Sequence, residues 1–160
     1  MTKIIDNFLD EKTLKELQEV LMGKTFSWYY ESVINSHHSE KDNTLYFVHM
    51  AYHYSANSSF YEYFRDIFWD KLDMKSLIRI KVNCYPKTDK LHINESHIDY
   101  NFKHKAAVFS INTNNGGTYF SDKKVDSIEN RIVLFDGNKP HSSSTCTNQK
   151  ARFNINFNYF

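Results

Sequence analysis

The sequence predicts a mainly β fold, a barrel or a double-sheet jelly roll, with two helices packed on its outside. Two observations support this prediction. Apolar residues recur at helical spacing in two segments of the N-terminal half. From Leu77 onward the period changes to two, in short segments separated by turn sequences such as NTNNGG, SDKK and DGNKP.

The two helices are predicted from their end signals and their apolar faces. Asp10 is a good N-cap residue, Gly23 is a helix stop, and Leu14, Leu17 and Leu21 lie on one face between them. The second helix covers SFYEYFRDIFWDKLD. Its inward face consists of Phe60, Phe64, Ile67, Phe68 and Leu72. Such faces favour packing against a sheet.

Six segments have the composition or the alternation of strands. LIRIKVNCY alternates apolar and polar residues, and ARFNINFNYF places Arg152 on the same face as three asparagines. The other four are LYFVHMAYHY, KAAVFSIN, GTYFSD and RIVLFDG.

Length and charge limit the function classes. A chain of 160 residues with 41% hydrophobic residues predicts one domain over residues 1–160, with N-terminal helices within about 10–73 and a core jelly roll over about 77–160. The formal net charge of +1 gives no general attraction to nucleic acid or to a membrane. No signal sequence and no long apolar run is evident, and Cys84 and Cys146 are expected to be free thiols. We therefore expect a cytoplasmic protein, in the host cytoplasm if the chain is viral.

The stretch LHINESHIDY contains a candidate metal-binding pair, His97 and Asp99. On an extended chain, side chains at i and i+2 point to the same side, so an imidazole and a carboxylate can converge on one ion. Spacing alone is a weak signal, because about half a His-x-Asp tripeptide is expected by chance in such a chain. His141, just after the DGNKP turn, is the candidate third ligand. Two histidines and a carboxylate form the facial triad of non-haem Fe(II) oxygenases, although a zinc hydrolase uses the same ligand types.

Arg152 opens the last predicted strand, eleven residues after His141. A positive charge on a neutral polar strand face is costly to bury without a partner. A dicarboxylate co-substrate would supply that partner through a bidentate pair. The alternative is that Arg152 pairs with a nearby aspartate or remains in water. For an arginine at the start of a strand, considered by itself, this alternative is favoured.

The remaining histidines are weaker candidates. His38 belongs to a His-x-Glu tripeptide in a polar loop, which predicts a solvated position, and His92 has no carboxylate two residues later. We expect His49 and His53 to pack or to contact substrate, and His104 to be exposed. The segment 28–43 is a candidate lid, although core packing is the default for its aromatic residues.

The order of these motifs resembles a known family. Tyr85-Pro86, His97-x-Asp99, INTNNGGTYF, VLFDGNKPH and Arg152 follow one another as in the 2-oxoglutarate- and Fe(II)-dependent oxygenases, with the prolyl-4-hydroxylase-like branch the nearest. The opening IIDNFLDEKTLKEL is also similar to that branch, and the distal half is similar to small oxygenases encoded by bacteriophages. The resemblance covers nearly the whole chain and implies a double-stranded β-helix, the cupin-like jelly roll.

The resemblance also implies roles for single residues. His97, Asp99 and His141 would be the catalytic iron ligands. Arg152 would bind the distal carboxylate of 2-oxoglutarate, and Tyr85 would donate a hydrogen bond to the same molecule.

Three further residues match the family pattern without a settled role. Asn112 matches an asparagine that is frequent in the family, and its role is left open. Gly116 and Gly117 match turn glycines, which implies either a positive φ or a close backbone approach.

The implied reaction is hydroxylation of a C–H bond, coupled to conversion of 2-oxoglutarate and O2 to succinate and CO2, with ascorbate as a reductant. A protein or peptide side chain, such as a peptidyl proline, and a small molecule, such as a free amino acid, both stay open as substrates. Nucleic-acid demethylation is disfavoured because residues 153–160 lack a second arginine. An inactive metal-binding jelly roll is the non-enzymatic alternative. The oligomeric state is not predicted.

Overall fold

The computed structural model describes residues 2–31 and 45–160, which form two antiparallel sheets and two helices. The helices are α1 (Glu11–Leu21) and α2 (Phe60–Phe68). The strands are β1 (Lys3–Ile5), β2 (Tyr29–Glu31), β3 (Tyr46–His53), β4 (Leu77–Pro86), β5 (Lys105–Ser110), β6 (Gly117–Tyr119), β7 (Lys124–Asp126), β8 (Arg131–Asp136), β9 (Ser142–Ser143) and β10 (Ala151–Tyr159). One sheet has the order β1-β8-β5-β10-β4-β3-β2 and the other β7-β6-β9. The predicted mainly β fold with flanking helices is confirmed.

Both helices form where the sequence predicts them. The Asp10 side chain accepts a hydrogen bond from the Thr13 backbone N–H at 2.9 Å, which satisfies a donor that the first turn of α1 leaves free. The three leucines of α1 are buried. The helix α2 ends four residues earlier than its apolar pattern, because the chain reverses after it, with Asp73 at φ 48°. Leu72 is nevertheless buried in that turn.

The main core lies between the helices and the large sheet. Phe68 of α2 is at its centre, with ring centroids 6.2 Å from Phe8, 5.2 Å from Phe109 and 4.6 Å from Phe157. Phe109 and Phe157 lie on the neighbouring strands β5 and β10. This aromatic group therefore fixes α2 over the middle of the sheet.

The pairing of β4 with β10 separates an apolar face from a polar one. Its register places Arg152 opposite Tyr85, and Asn158 opposite Arg79. The intervening pairs on the same face are Asn154 with Asn83 and Asn156 with Lys81. The other face, with Ile80 and Ile155 among its residues, enters the core. The predicted alternation of both segments is confirmed.

Four strands were not predicted: β1, β2, β7 and β9. Each has only two or three residues, too few to show a period of two. Since β1, β2 and β3 all belong to the large sheet, the N-terminal region contributes strands as well as helices.

Part of the predicted lid and the tripeptide at His38 lie outside the described residues. Trp28, at the start of that segment, packs against Phe26 at 4.9 Å and Phe153 at 5.7 Å between ring centroids. Its aromatic side chain thus takes the packing role that is the default. None of the described helices has the length and apolar composition that crossing a membrane requires.

The core position of Phe68 gives a stability prediction. Phe68→Ala removes a fully buried ring that contacts three other rings, so we expect it to lower the free energy of unfolding by about 3–5 kcal/mol. Met22→Ala, at a half-exposed position after α1, should change it by less than about 0.5 kcal/mol. Urea denaturation monitored by circular dichroism measures both, and equal losses would contradict this assignment of the core.

Candidate functional site

A cavity of about 670 Å³ lies against the polar face of β4 and β10. Both sheets contribute to its walls. Its floor consists of Arg79, Lys81, Asn83, Tyr85, Arg152, Asn154 and Asn156. The other walls are formed by residues 96–101, Val108, Thr118, His141, Ser142 and Ser143. The predicted site residues of both groups, the metal candidates and the co-substrate candidates, thus line one cavity.

The structure brings His97, Asp99 and His141 together. The backbones of the two histidines exchange hydrogen bonds, N–H to C=O, at 2.9 Å in each direction. His97 Nε2 lies 3.9 Å from Asp99 Oδ1, and His141 Nε2 lies 3.9 Å from Asp99 Oδ2. One ligand atom from each residue lies within 4.8 Å of the other two. The pairing is a single bridge outside the named strands, so His97 and Asp99 do not lie on the regular extended strand that their spacing suggested.

The imidazole rings are held with Nε2 towards Asp99. His141 Nδ1 lies 3.0 Å from the Lys139 carbonyl oxygen, and His97 Nδ1 lies 3.5 Å from that of Glu95. A ring that donates from Nδ1 to a carbonyl keeps the lone pair on Nε2 for a metal. Burial, together with the nearby His141, lowers the pKa of His97 to about 4, so its ring is neutral at pH 7.

Asp99 is held by two hydrogen-bond donors. Arg79 Nη2 donates to Oδ1 at 2.7 Å, and Asn158 Nδ2 donates to Oδ2 at 2.8 Å. The carboxylate is 3% exposed. Burial raises the pKa of Asp99, but Arg79, His141 and Asn158 act against burial and hold it below its usual range. Asp99 is therefore ionised and fixed in orientation.

His104 forms a hydrogen bond with Asn158 and so helps to position it, a role that the sequence did not indicate. His104 Nε2 accepts a second hydrogen bond from Asn158 Nδ2 at 3.1 Å, while its Nδ1 lies 2.9 Å from the Phe102 carbonyl oxygen. Our prediction that His104 is exposed was wrong, since it is 4% exposed. The ring packs against the backbone of Gly137, where any Cβ atom would collide with it. The lysines on either side of His104 suggested a surface position, and the only contrary signal was a glycine directly after a predicted strand.

The donor set fits a divalent transition metal. Two imidazole nitrogens and one carboxylate, all on one side of a cavity, match a facial triad and leave further coordination positions open. The same three ligand types also suit zinc. The three residues therefore indicate a metal centre without selecting its metal.

Arg152 is buried, and no carboxylate in residues 2–31 or 45–160 forms an ion pair with it. It is 1% exposed, Nη1 donates to the Ser144 carbonyl oxygen at 3.2 Å, and Nε has no acceptor in the described part of the chain. The guanidinium carbon lies 5.2 Å from the ring centroid of Tyr85. A buried guanidinium with an unpaired donor fits the carboxylate of a bound acid, which would accept the remaining hydrogen bonds.

The side chain of Asn112 and the backbone of Gly116 position Arg152. Asn112 Nδ2 donates to the Ala151 carbonyl at 2.9 Å, and Asn112 Oδ1 accepts from the Phe153 N–H at 3.0 Å. These bonds hold the residues on both sides of Arg152. A Cβ atom at Gly116 would lie 2.8 Å from Arg152 Cδ. Of the two expected reasons for this glycine, close approach applies, because no described glycine has a positive φ.

Tyr85 lies on the cavity floor beside Arg152, as its strand alternation predicted. Its ring stacks on that of Tyr46, with centroids 5.2 Å apart and planes 7° from parallel. Burial raises the pKa of Tyr85, which keeps the phenol protonated and able to donate a hydrogen bond.

The other two cations of the floor, Arg79 and Lys81, were not predicted as site residues. The signal was present, since both alternate with apolar residues on the same strand as Tyr85 and share its face. Their importance depends on that face lining a cavity, which the strand pattern does not reveal.

The other histidines do not join the metal candidates. His49 is buried, with Nδ1 2.8 Å from the Ser27 carbonyl oxygen and Nε2 2.7 Å from Ser58 Oγ, so it packs as expected. His53 is exposed, and its ring stacks on Tyr54. Among the described His, Cys, Asp and Glu residues, His92 does not belong to the group that could hold a metal.

Comparison with known proteins gives matches at the level of structure. No protein-family model and no curated protein matches the sequence. A prolyl hydroxylase from Trichoplax adhaerens, solved with a peptide fragment of the hypoxia inducible factor oxygen degradation domain, matches with a TM-score of 0.70 and 17% identity, over 99% of this chain and 83% of that one. A 2OG-Fe(II) oxygenase family oxidoreductase from Burkholderia pseudomallei matches with a TM-score of 0.69 and 11% identity, over 99% and 84%. A Pseudomonas putida prolyl-4-hydroxylase matches with a TM-score of 0.61 and 12% identity, over 99% and 91%.

The hydrogen bond from Asn158 to Asp99 gives a prediction for metal binding. Asn158→Ala frees one oxygen of the candidate ligand, so we expect Co(II) to bind about 10- to 100-fold more weakly, as measured by titration of its visible absorption.

Asn154→Ala is the matched control for Asn158→Ala. Asn154 lies on the same face of β10 but accepts from Asn83 Nδ2 at 2.9 Å instead of holding Asp99. We expect its Co(II) affinity to stay within about threefold of the unmodified protein. If Asn158→Ala bound Co(II) as tightly as the unmodified protein, Asn158 would have no part in positioning Asp99.

The matches to the three oxygenase structures confirm the predicted fold. The chain is a double-stranded β-helix of the kind found in 2-oxoglutarate-Fe(II) oxygenases, with a candidate His-x-Asp…His facial triad at residues 97, 99 and 141.

Proposed function

We propose that the protein is a 2-oxoglutarate- and Fe(II)-dependent dioxygenase that hydroxylates a C–H bond. One observation carries the proposal: a two-histidine, one-carboxylate set and a buried, unpaired arginine line the same cavity of an oxygenase fold. The metal set alone suits zinc as well. Arg152 favours the oxygenase, because a dianionic co-substrate accounts for a buried cation that a zinc hydrolase does not require.

The residues of the cavity have separate roles in the proposed reaction. His97, Asp99 and His141 hold Fe(II), and Arg152 binds the distal carboxylate of 2-oxoglutarate, to which Tyr85 donates a hydrogen bond. Fe(II) bound there supplies the redox chemistry that couples conversion of 2-oxoglutarate and O2 to succinate and CO2 with substrate hydroxylation. Ascorbate as a reductant stays a prediction.

Burial makes the arginine contact selective. Removing a guanidinium from water costs several kcal/mol, and a carboxylate that makes charge-assisted hydrogen bonds to it offsets that cost. A neutral ligand of the same shape would leave the charge uncompensated. The pocket around Arg152 therefore selects a molecule with a terminal carboxylate and excludes water from it.

For the substrate we propose a protein or peptide side chain, of which a peptidyl proline is one example. Two of the similar structures are prolyl hydroxylases, and one of them was solved with a peptide fragment. A small molecule such as a free amino acid is the second candidate, because the cavity walls are polar and carry charges that a small acid would match.

The metal assignment is tested by the absorption of the anaerobic protein. With Fe(II) and 2-oxoglutarate present, we expect a weak visible charge-transfer band, and His141→Ala should abolish it because one metal ligand is lost. His53→Ala removes an exposed histidine and should leave the band unchanged. Persistence of the band in His141→Ala would show that the metal binds elsewhere.

The role of Arg152 is tested by the affinity for 2-oxoglutarate. In Zn(II)-loaded protein, calorimetry should show that Arg152→Met raises the Kd of 2-oxoglutarate at least about 100-fold, because a buried charge pair is lost, while Zn(II) stays bound. Gly116→Ala should also raise it, by about tenfold, since the added methyl would lie 2.5 Å from the Thr145 carbonyl oxygen and 2.8 Å from Arg152 Cδ, so that the backbone beside Arg152 and its side chain must both shift. Arg131→Met, which removes a partly buried arginine that is paired with Asp6 and does not line the cavity, is the control. Loss of the metal in Arg152→Met would contradict the assigned role.

A further inference from the structure

The cavity holds more positive charge than the proposed reaction uses. Its lining carries three cations, Arg79, Lys81 and Arg152, whereas Asp99 is the only carboxylate among the described residues that line it. The three cations and Fe(II) together carry five positive charges, whereas Asp99 and the dianion of 2-oxoglutarate carry three negative ones. The complete centre would therefore keep a net charge of +2.

Two of the three cations have an assigned anion. Arg79 is paired with Asp99 at 2.7 Å, and Arg152 faces the co-substrate in the proposed function. Lys81 has none, since it forms no ion pair with any residue in 2–31 or 45–160. Its Nζ donates to the Tyr46 hydroxyl at 3.0 Å, which uses one of its three donors.

The environment of Lys81 is unfavourable for an unpaired ammonium group. Burial, followed by repulsion from Arg79, lowers the pKa of Lys81 to about 8, while the carboxylates of Asp99 and Glu31, both beyond ion-pair distance, act in the opposite direction without cancelling it. The ring of Tyr46, 5.2 Å from Nζ, gives some cation–π stabilisation but no charge. A neutral residue could donate a hydrogen bond to the Tyr46 hydroxyl without the free-energy cost of burying a charge. A purely structural role therefore does not explain why this residue is a lysine.

Lys81 lies near the metal candidates rather than near Arg152. Along β4 it is two residues from Arg79, which holds Asp99, and four residues from Tyr85, which pairs with Arg152. On a strand, four residues correspond to about 13 Å. The backbone position of Lys81 is therefore at the end of the floor that holds Arg79, and not at the end where Arg152 pairs with Tyr85.

From this juxtaposition we infer that the substrate carries an anionic group, a carboxylate or a phosphate, that binds Lys81. The inference rests on the proposed function and names the substrate class of that same cavity. An acid bound to Lys81 would hold the rest of the molecule beside Asp99. Arg79 would add long-range attraction for the same anion, while its short contact stays with Asp99.

The test uses ligand pairs that differ mainly in charge. The pairs are glutamate with glutamine, aspartate with asparagine, O-phosphoserine with serine, and acetyl-Gly-Glu-Gly amide with acetyl-Gly-Gln-Gly amide. Succinate release is measured with Fe(II) and saturating 2-oxoglutarate. Binding is measured by calorimetry on the protein loaded with Zn(II) and 2-oxoglutarate, which needs no turnover. We expect at least one anionic member to bind and to raise succinate release at least fivefold, and its neutral partner to do neither.

Lys81→Met tests the contact itself. We expect it to weaken binding of the effective acid at least tenfold and to leave the Kd of 2-oxoglutarate within about twofold, whereas Lys81→Arg keeps part of the affinity. Lys12→Met, at a lysine whose side chain is 86% exposed on α1, is the matched control and should change neither value. The free acids and the acetylated peptides distinguish a small-molecule substrate from an acidic peptide.

Several outcomes would overturn the inference. These are equal stimulation by neutral and anionic members, no stimulation by any of them, or unchanged binding of the acid to Lys81→Met. A large loss of 2-oxoglutarate affinity in Lys81→Met would instead make Lys81 a co-substrate residue. Failure of the unmodified protein to bind 2-oxoglutarate would reject the proposed function itself. That result is distinct from the outcomes above, because it is measured without any change at Lys81.

Discussion

The register between β4 and β10 is the constraint on which the rest of the structure depends. Because side chains alternate with a period of two, a slip of one residue would move Arg152 into the apolar layer and Phe157 into the cavity. The aromatic packing of Phe157 under Phe68 opposes that slip. The packing contacts that stabilise the fold therefore also determine which side chains face the cavity.

A buried polar floor is stable only when its charges are compensated. Asp99 meets this condition within the chain, through Arg79 and Asn158, and His97 meets it by remaining neutral. Arg152 and Lys81 do not meet it within the described residues. The structure therefore divides its polar groups into those that the fold satisfies and those that a bound anion would satisfy, which is the pattern of a preorganised binding site.

Local signals in the sequence were enough for the helices and the long strands, because caps and alternation are properties of neighbouring residues. His97, Asp99 and His141 were grouped by the order of motifs along the chain, which resembles that of a known family. The remainder depends on contacts between distant segments. Asn158 and Asp99 are 59 positions apart, and His104 is buried only because a glycine 33 positions later gives it room. Strands of two or three residues carry no period, so β1, β2, β7 and β9 were invisible for the same reason.

The similarity to prolyl hydroxylases concerns the path of the backbone, whereas a substrate is recognised by the side chains that the backbone presents. At 17% identity or less, most of those side chains differ, so the fold limits the reaction more than it limits the substrate. Lys81 illustrates the difference. Its position on the cavity floor follows from the alternation of β4, whereas its charge is a property of the side chain that this sequence places there. A prolyl ring with no acidic group beside it would leave that ammonium group without a partner, whereas a free acid or a peptide with an acidic side chain would neutralise it. Among substrates that the fold accepts equally, the electrostatics of the floor therefore favour one that carries an acidic group.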